Sequence, residues 1–272
     1  MTEALTPKKI RTSHLQALKE AGSKFSCLTS YDFLTAGIFD EAGIEVILVG
    51  DSAADTTLGY ESTLAVTVEE MISLGRAVVA ATKRALVVID MPFGSYEAGP
   101  DVALENALQM IKRSGAAAVK LEGGVRSTRQ ISALVEAGIP VMGHIGFTPQ
   151  SVNTLGGFKV QGRGEGLEQL MLDAKAVEAA GAFAVVLEMV PADVAKQVSA
   201  TLKIPTIGIG AGPDTDAQIL VWTDFAGLSG GRPRKFVKQY LTLREDLLSA
   251  TRSYRADVLS GQFPAEEHSF EN

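Results

Sequence analysis

The sequence predicts an α/β protein, an eight-stranded (β/α)8 TIM barrel, and three features of the chain lead to that class. Short apolar runs rich in β-branched residues recur eight times. Strands covered by helices on both faces read this way, as continuous Val/Ile/Leu runs. Between the runs lie stretches with helical spacing, several of which close in Ala-Gly just before the next run. Finally, the chain has 272 residues, and a single α/β barrel typically takes about 250. A doubly wound sheet shares the alternation and is the alternative, because strand count alone does not establish closure.

The eight runs are Phe25–Ser30, Val46–Val49, Ala85–Ile89, Ala118–Leu121, Pro140–His144, Phe183–Leu187, Pro205–Ile209 and Gln218–Val221. Helical spacing covers Thr67–Lys83, Ala103–Ser114, Thr128–Ala137, Leu167–Ala180 and Ala192–Ala200. Gly43, Gly138 and Gly181 each follow an alanine, where a glycine supplies the left-handed residue past a helix C-terminus. An N-terminal helix near Pro7–Ala21 and a charged C-terminal helix near Lys235–Ser260 fall outside the eight units, placed to cap the barrel or to meet other subunits. The chain thus reads as one barrel domain over residues 1–272 with two helical additions. Its one long glycine-rich connection is Gly146–Gly166, and loops of that length act as lids, binding loops or interfaces.

Composition narrows the function. With 46% hydrophobic and 21% charged residues the chain is neither disordered nor collagen-like. Thirty-two acidic against 25 basic side chains give a net charge of −7, which argues against nucleic acid as a partner. The single cysteine, Cys27, excludes an internal disulfide framework and a cysteine-built zinc site. The N-terminus is polar, without a signal peptide's apolar core, and no run reaches the roughly 18 apolar residues that span a bilayer. A cytoplasmic enzyme with no membrane partner is expected.

The informative feature is how the runs end. Asp51, Asp90, Glu122, His144 and Glu188 stand at the C-terminal ends of the second to sixth. In a barrel those ends converge on one face, where active sites sit. Four carboxylates crowded there repel, so they need a cation or shared protons. Carboxylates without thiolates suit a hard divalent ion, Mg²⁺ first. Read blandly, each acid is only the N-cap of the next helix, a role for which glutamate is poorly suited. Lys120 lies two residues before Glu122, so strand alternation points both the same way. Burying an ammonium requires an anion, either a neighbouring acid or a substrate carboxylate. His144 is either a core histidine bonded to backbone or a polar group over the substrate. Glu188, flanked by apolar residues and across the mouth from the other acids, is the candidate base; otherwise it orders a neighbouring loop. The sequence from Gly208 to Gly212 has spacing GxGxG after the seventh run; it reads as a tight turn, not a dinucleotide fingerprint.

Taken together, the motifs Gly50-Asp51-Ser52, Asp90-Met91-Pro92-Phe93, Val119-Lys120-Leu121-Glu122-Gly123-Gly124 and Gly143-His144-Ile145-Gly146-Phe147-Thr148-Pro149-Gln150 resemble the ketopantoate hydroxymethyltransferase family. The same holds for Gly157–Arg163, Leu187-Glu188-Met189-Val190-Pro191, Ile207–Gly212 and the tail Pro264–Phe270. The resemblance implies a TIM barrel of the phosphoenolpyruvate/pyruvate superfamily and a homodecamer of two pentamers. It implies transfer of a one-carbon unit from 5,10-methylenetetrahydrofolate to 3-methyl-2-oxobutanoate, giving 2-dehydropantoate in pantothenate biosynthesis. Carried over residue by residue, Asp51, Asp90 and Glu122 fall on the family's Mg²⁺-associated positions. Asp51, Ser52, Asp90 and Lys120 fall on its keto-acid contacts, and Glu188 on its catalytic base. The chain departs from the pattern at Ala54, within an atypical Ala53–Thr57, and at Trp222-Thr223 before Asp224.

Two other readings compete. Carbon–carbon lyases and mutases of the same superfamily also gather acids at strand ends, but commonly use a loop cysteine, whereas Cys27 falls inside the first run. A non-catalytic barrel that binds a ligand or assembles with itself predicts ion binding without turnover.

Overall fold

The structure is a computed structural model and describes residues 8–270. It divides into two compact units, the first running to Val221 and the second beginning at Trp222.

The first unit is the predicted barrel. Its strands are β1 (Phe25–Thr29), β2 (Val46–Val49), β3 (Leu86–Asp90), β4 (Ala118–Glu122), β5 (Val141–Gly146), β6 (Ala184–Glu188), β7 (Thr206–Ile209) and β8 (Ala217–Leu220). Neighbours pair in sequence order, and β8 pairs in parallel with β1, so the sheet is closed. Closure removes the doubly wound alternative. Around the strands lie α1 (Thr12–Glu20), α2 (Phe33–Glu41), the single turn α3 (Ala53–Thr56), α4 (Val68–Ala81), α5 (Pro100–Ser114), α6 (Thr128–Glu136), the single turn α7 (Val152–Leu155), α8 (Gly166–Ala179) and α9 (Ala192–Thr201). Every residue of β2, β3, β4, β6 and β7 is buried, which is why these strands read as unbroken apolar runs. Helix boundaries follow local chemistry. Asp32 caps α2 by accepting from the Leu34 and Thr35 amides, and Thr67 and Glu70 form a reciprocal capping box at the start of α4. Gly43, Gly138 and Gly181 all take the left-handed conformation predicted for them.

The connection from β7 to β8 is the tight turn expected at Gly208–Gly212: seven residues, 210–216, turn on Gly210 and Gly212 at positive φ with no helix between the strands. Two other stretches differ from expectation. Helix α1 begins at Thr12, because the Ile10 amide is bonded to the Arg84 carbonyl at 2.7 Å and Arg11 is extended. Pro7, where that helix was expected to start, lies outside the described residues. The Gly146–Gly166 connection also carries structure of its own, a 3-10 turn at Pro149–Ser151 followed by α7.

The second unit contains α10 (Trp222–Phe225) and α11 (Leu243–Ser260). Helix α11 starts eight residues later than the predicted Lys235. The reason is that the Tyr240 amide bonds to the Phe225 carbonyl and the two rings stack at 5.0 Å, committing this segment to α10. Among the described residues no helix is long and apolar enough to cross a membrane.

Candidate active site

Asp90, Glu122 and Glu188 are the last residues of β3, β4 and β6, and Asp51 follows β2 by two. His144 is the fourth residue of β5, which runs on to Gly146, so it lies inside its strand instead of ending it as predicted. The parallel register aligns Asp90 with Lys120 and Glu122 with His144 on adjacent strands. Aligned residues share a face, and the distances follow. Lys120 Nζ stands 2.6 Å from Asp90 Oδ1, and His144 Nδ1 stands 3.3 Å from Glu122 Oε1 and 3.4 Å from Lys120 Nζ. On β6, Glu188 is aligned with Gly146, which has no side chain. His144, two residues earlier on the same face, fills that space and brings Nε2 to 3.3 Å from Glu188 Oε2. Gly146 is required here, since its φ is +90° and an added Cβ would stand 2.4 Å from the Glu188 carbonyl oxygen. Past Glu188, Met189 is the one non-glycine at positive φ (49°) among the described residues. Its backbone joins Ile209 of β7 to Gln161 of the long connection.

Asp51 is not a helix cap. Its backbone N–H donates to Asp90 Oδ2 at 3.1 Å, and its Oδ2 accepts from Gln150 Nε2 at 2.8 Å. Gln150 and its partner Tyr96 were not singled out from the sequence, nor was Tyr31, whose hydroxyl lies 2.7 Å from Ser52 Oγ. Tyrosine and glutamine in loops carry no chemical signature of their own. The only available signal for Gln150 was its place at the end of the Gly143–Gln150 motif.

Asp51, Asp90, Lys120, Glu122, His144 and Glu188 are all between 1% and 7% exposed. Burial, reinforced by the charges of Asp90 and Glu122, pushes Asp51 well above the usual carboxylate range. Burial also raises Asp90, against the opposing pull of Lys120. For Lys120 burial favours the neutral amine, but the charges of Asp90, Asp51 and Glu122 outweigh it and hold the ammonium above its ordinary range. His144 shows the same contest. Burial and Lys120 oppose its protonation, while the Glu122 and Glu188 carboxylates, each 3.3 Å from a ring nitrogen, prevail and lift it to about 9. The site therefore sets four carboxylates against two cations.

That imbalance is the test for a metal. A divalent ion would supply the missing positive charge, and oxygen donors suit Mg²⁺. Among the described residues no three Asp, Glu, His or Cys side chains converge to the spacing of a metal shell. Glu122 is engaged at both oxygens, Oε2 by the Gln150 amide at 3.0 Å and Oε1 by His144. Asp90 is likewise contacted at both oxygens, Oδ1 by Lys120 Nζ at 2.6 Å and Oδ2 by the Asp51 amide at 3.1 Å. Mg²⁺ commonly uses one or two carboxylates and keeps several waters, so the donor set fits. Lys120 is paired to Asp90 here, the blander of its two predicted roles, and can also meet a second anion from the mouth.

The model of the ketopantoate hydroxymethyltransferase family matches residues 9–266. This chain belongs to that family. It is 63% identical over 265 residues to 3-methyl-2-oxobutanoate hydroxymethyltransferase of Leifsonia xyli subsp. xyli (strain CTCB07), covering 97% of this chain and 96% of the relative. The Streptomyces coelicolor protein of the same name is 60% identical, with 96% of this chain and 90% of the relative covered. The family makes the chain an enzyme, a transferase. Solved structures share the fold at low identity. A phosphonopyruvate hydrolase complexed with oxalate and Mg²⁺ has a TM-score of 0.61 at 14% identity, covering 95% of this chain and 93% of the other. A 2,3-dimethylmalate lyase of the PEP mutase/isocitrate lyase superfamily has a TM-score of 0.60 at 18% identity, covering 96% and 91%.

Proposed function

We propose that this enzyme transfers a hydroxymethyl unit from 5,10-methylenetetrahydrofolate to 3-methyl-2-oxobutanoate, giving 2-dehydropantoate for pantothenate biosynthesis. The observation that carries the reading is the buried set of carboxylates with one lysine at the strand ends, in a chain 63% identical to a relative of that name. In this reading Asp51 and Asp90 hold Mg²⁺ directly and Glu122 does so through water. When bound, the ion supplies a Lewis acid for a 2-oxo acid's carboxylate and keto oxygens and so favours the enolate.

The remaining steps belong to the chain's own groups. Lys120 neutralises negative charge on the substrate carboxylate or enolate oxygen, and Ser52 and His144 orient it. Glu188 removes the proton from C3, and the electron pair left on C3 attacks the folate methylene carbon as one of its two carbon–nitrogen bonds breaks and that nitrogen takes up a proton. Water then replaces the second nitrogen on the same carbon, releasing the hydroxymethyl product and tetrahydrofolate. His144, protonated between Glu122 and Glu188, holds the base toward the substrate without adding negative charge. As in the family resemblance, the active form is a homodecamer of two pentamers.

The test is turnover of 3-methyl-2-oxobutanoate with methylenetetrahydrofolate, with and without Mg²⁺. The product is expected only when all three are present. Full activity after exhaustive chelation, or in an Asp51→Ala/Asp90→Ala double variant, would overturn the metal assignment. Failure to turn over this substrate pair with Mg²⁺ present would overturn the substrate assignment.

A further inference from the structure

Two neutral side chains with no role in the steps above connect the acids of the site. Gln150 and Tyr96 are 5% and 3% exposed, and their bonds form a closed circuit. Gln150 Nε2 donates to Asp51 Oδ2 at 2.8 Å and to the Met91 carbonyl at 3.1 Å. Its Oε1 accepts from the Tyr96 hydroxyl at 2.5 Å. That hydroxyl accepts in turn from the Glu122 backbone amide at 3.3 Å, and the Gln150 backbone amide donates to Glu122 Oε2 at 3.0 Å. We propose that Gln150 and Tyr96 act as one positioning unit that fixes Asp51 relative to Glu122 and thereby sets the affinity of the site for its cation. The inference rests on the reading of the site given under Proposed function.

The chemistry of an amide carries the argument. A primary amide has two donor hydrogens and one acceptor oxygen. Here both kinds of group are used, so only one orientation satisfies every partner. Turning the amide over would press Oε1 against Asp51 Oδ2 and the Met91 carbonyl, three acceptors together. Donation from Tyr96 to Oε1 blocks that turn.

Charge supplies the second half. Lys120 binds Asp90 as a cation and so cancels charge that an incoming metal would use. Gln150 fixes one oxygen of Asp51 with a neutral donor that brings no opposing charge, and its backbone amide does the same for Glu122. Neutral donors behind a ligating carboxylate raise affinity by reducing the reorganisation that binding requires. The turn that carries Gln150 is itself tied down at its next residue, where Arg126 donates to Ser151 Oγ at 2.6 Å.

The test uses the full-length protein and two variants that keep volume. Gln150→Leu removes the side-chain donors and retains the backbone bond to Glu122, and Tyr96→Phe removes only the hydroxyl. Mg²⁺ binding is titrated calorimetrically in the absence of substrates, and thermal melts are recorded alongside. The Mg²⁺ Kd is expected to rise about tenfold or more in each variant. The double variant should bind no worse than Gln150→Leu alone, because the two groups act through one contact to Asp51. Wild-type-like Mg²⁺ affinity, within twofold, in a folded Gln150→Leu would overturn the inference even if its melting temperature dropped. Should Gln150→Leu not fold, unchanged affinity in Tyr96→Phe would overturn it equally. A wild-type protein that binds no Mg²⁺ would overturn the cation reading and this inference with it, an outcome distinct from equal binding by wild type and variants.

Discussion

A carboxylate that takes a proton from carbon must face the substrate without being spent on the metal. In the proposed mechanism Glu188 takes that part, its side chain standing 3.3 Å from His144 Nε2. The role can be isolated from folate chemistry. With Mg²⁺ and 3-methyl-2-oxobutanoate alone, the enzyme should exchange the C3 proton for deuterium in heavy water, followed by NMR. Glu188→Gln preserves shape and is expected to slow exchange about a hundredfold or more, with a much smaller change in keto-acid binding. Exchange at the wild-type rate would remove Glu188 from the role. Cys27 gives a second test at this scale. Burial, and to a lesser degree the charge of Glu45, raises its thiol well above the ordinary value. At pH 8 the native protein should leave Ellman's reagent unreacted, with one thiol appearing on denaturation; rapid labelling in the native state would contradict the placement of Cys27 in β1. Residues of this kind were legible in the sequence to different degrees. Charged groups interrupting apolar strands, such as Lys120 and Glu122, stand out because their burial demands a partner. Gln150 and Tyr96 do not, because their importance comes from contacts made across 54 residues of chain.

At the scale of elements, the strands were the most legible part of the fold, since burial on both faces leaves an apolar run with little ambiguity. The elements that differed were decided by single backbone bonds from distant segments. One is the Arg84 carbonyl meeting Ile10; another is the Phe225 carbonyl meeting Tyr240. Sequence periodicity cannot see such partners. The same kind of contact locks α1 to the barrel. Lys19 Nζ bonds to Asp216 Oδ2 at 2.7 Å and to the Ser199 carbonyl at 3.0 Å, and Asp216 Oδ2 also accepts the Thr206 amide at 2.8 Å. Both ionic side chains are mostly buried, at 13% and 18% exposure. Asp216→Ala strands Lys19 and the Thr206 amide together and is expected to cost about 3 kcal/mol. Asp216→Asn keeps an acceptor for Thr206 and should cost about half as much. Urea unfolding reads both values, and equal midpoints for Asp216→Ala and wild type would show that the network contributes nothing.

For the molecule as a whole, α11 argues for assembly. It is 18 residues long, and none of them is buried. Isolated helices near that length are marginal in water, so most helical stability in proteins comes from packing an apolar face. Leu247, Tyr254 and Val258 recur at helical spacing along α11 and are 49%, 59% and 45% exposed, with Leu248 and Leu259 beside them. A second exposed apolar group, Phe33, Leu34 and Ile38, lies on α2. Contiguous exposed apolar surface of this kind marks interaction sites, and closed symmetric assembly is its usual outcome in soluble enzymes. The proposed decamer therefore gives a definite expectation. Light scattering at micromolar concentration should return a mass near ten times the 28.7 kDa of one chain. Replacing Leu247, Tyr254 and Val258 together by serine should shift the protein to smaller species while leaving the barrel's far-ultraviolet spectrum almost unchanged. A wild-type mass of one chain would defeat the proposed assembly. An unchanged large mass in the triple variant would instead move the interface away from α11, leaving the apolar face of α2 to account for it.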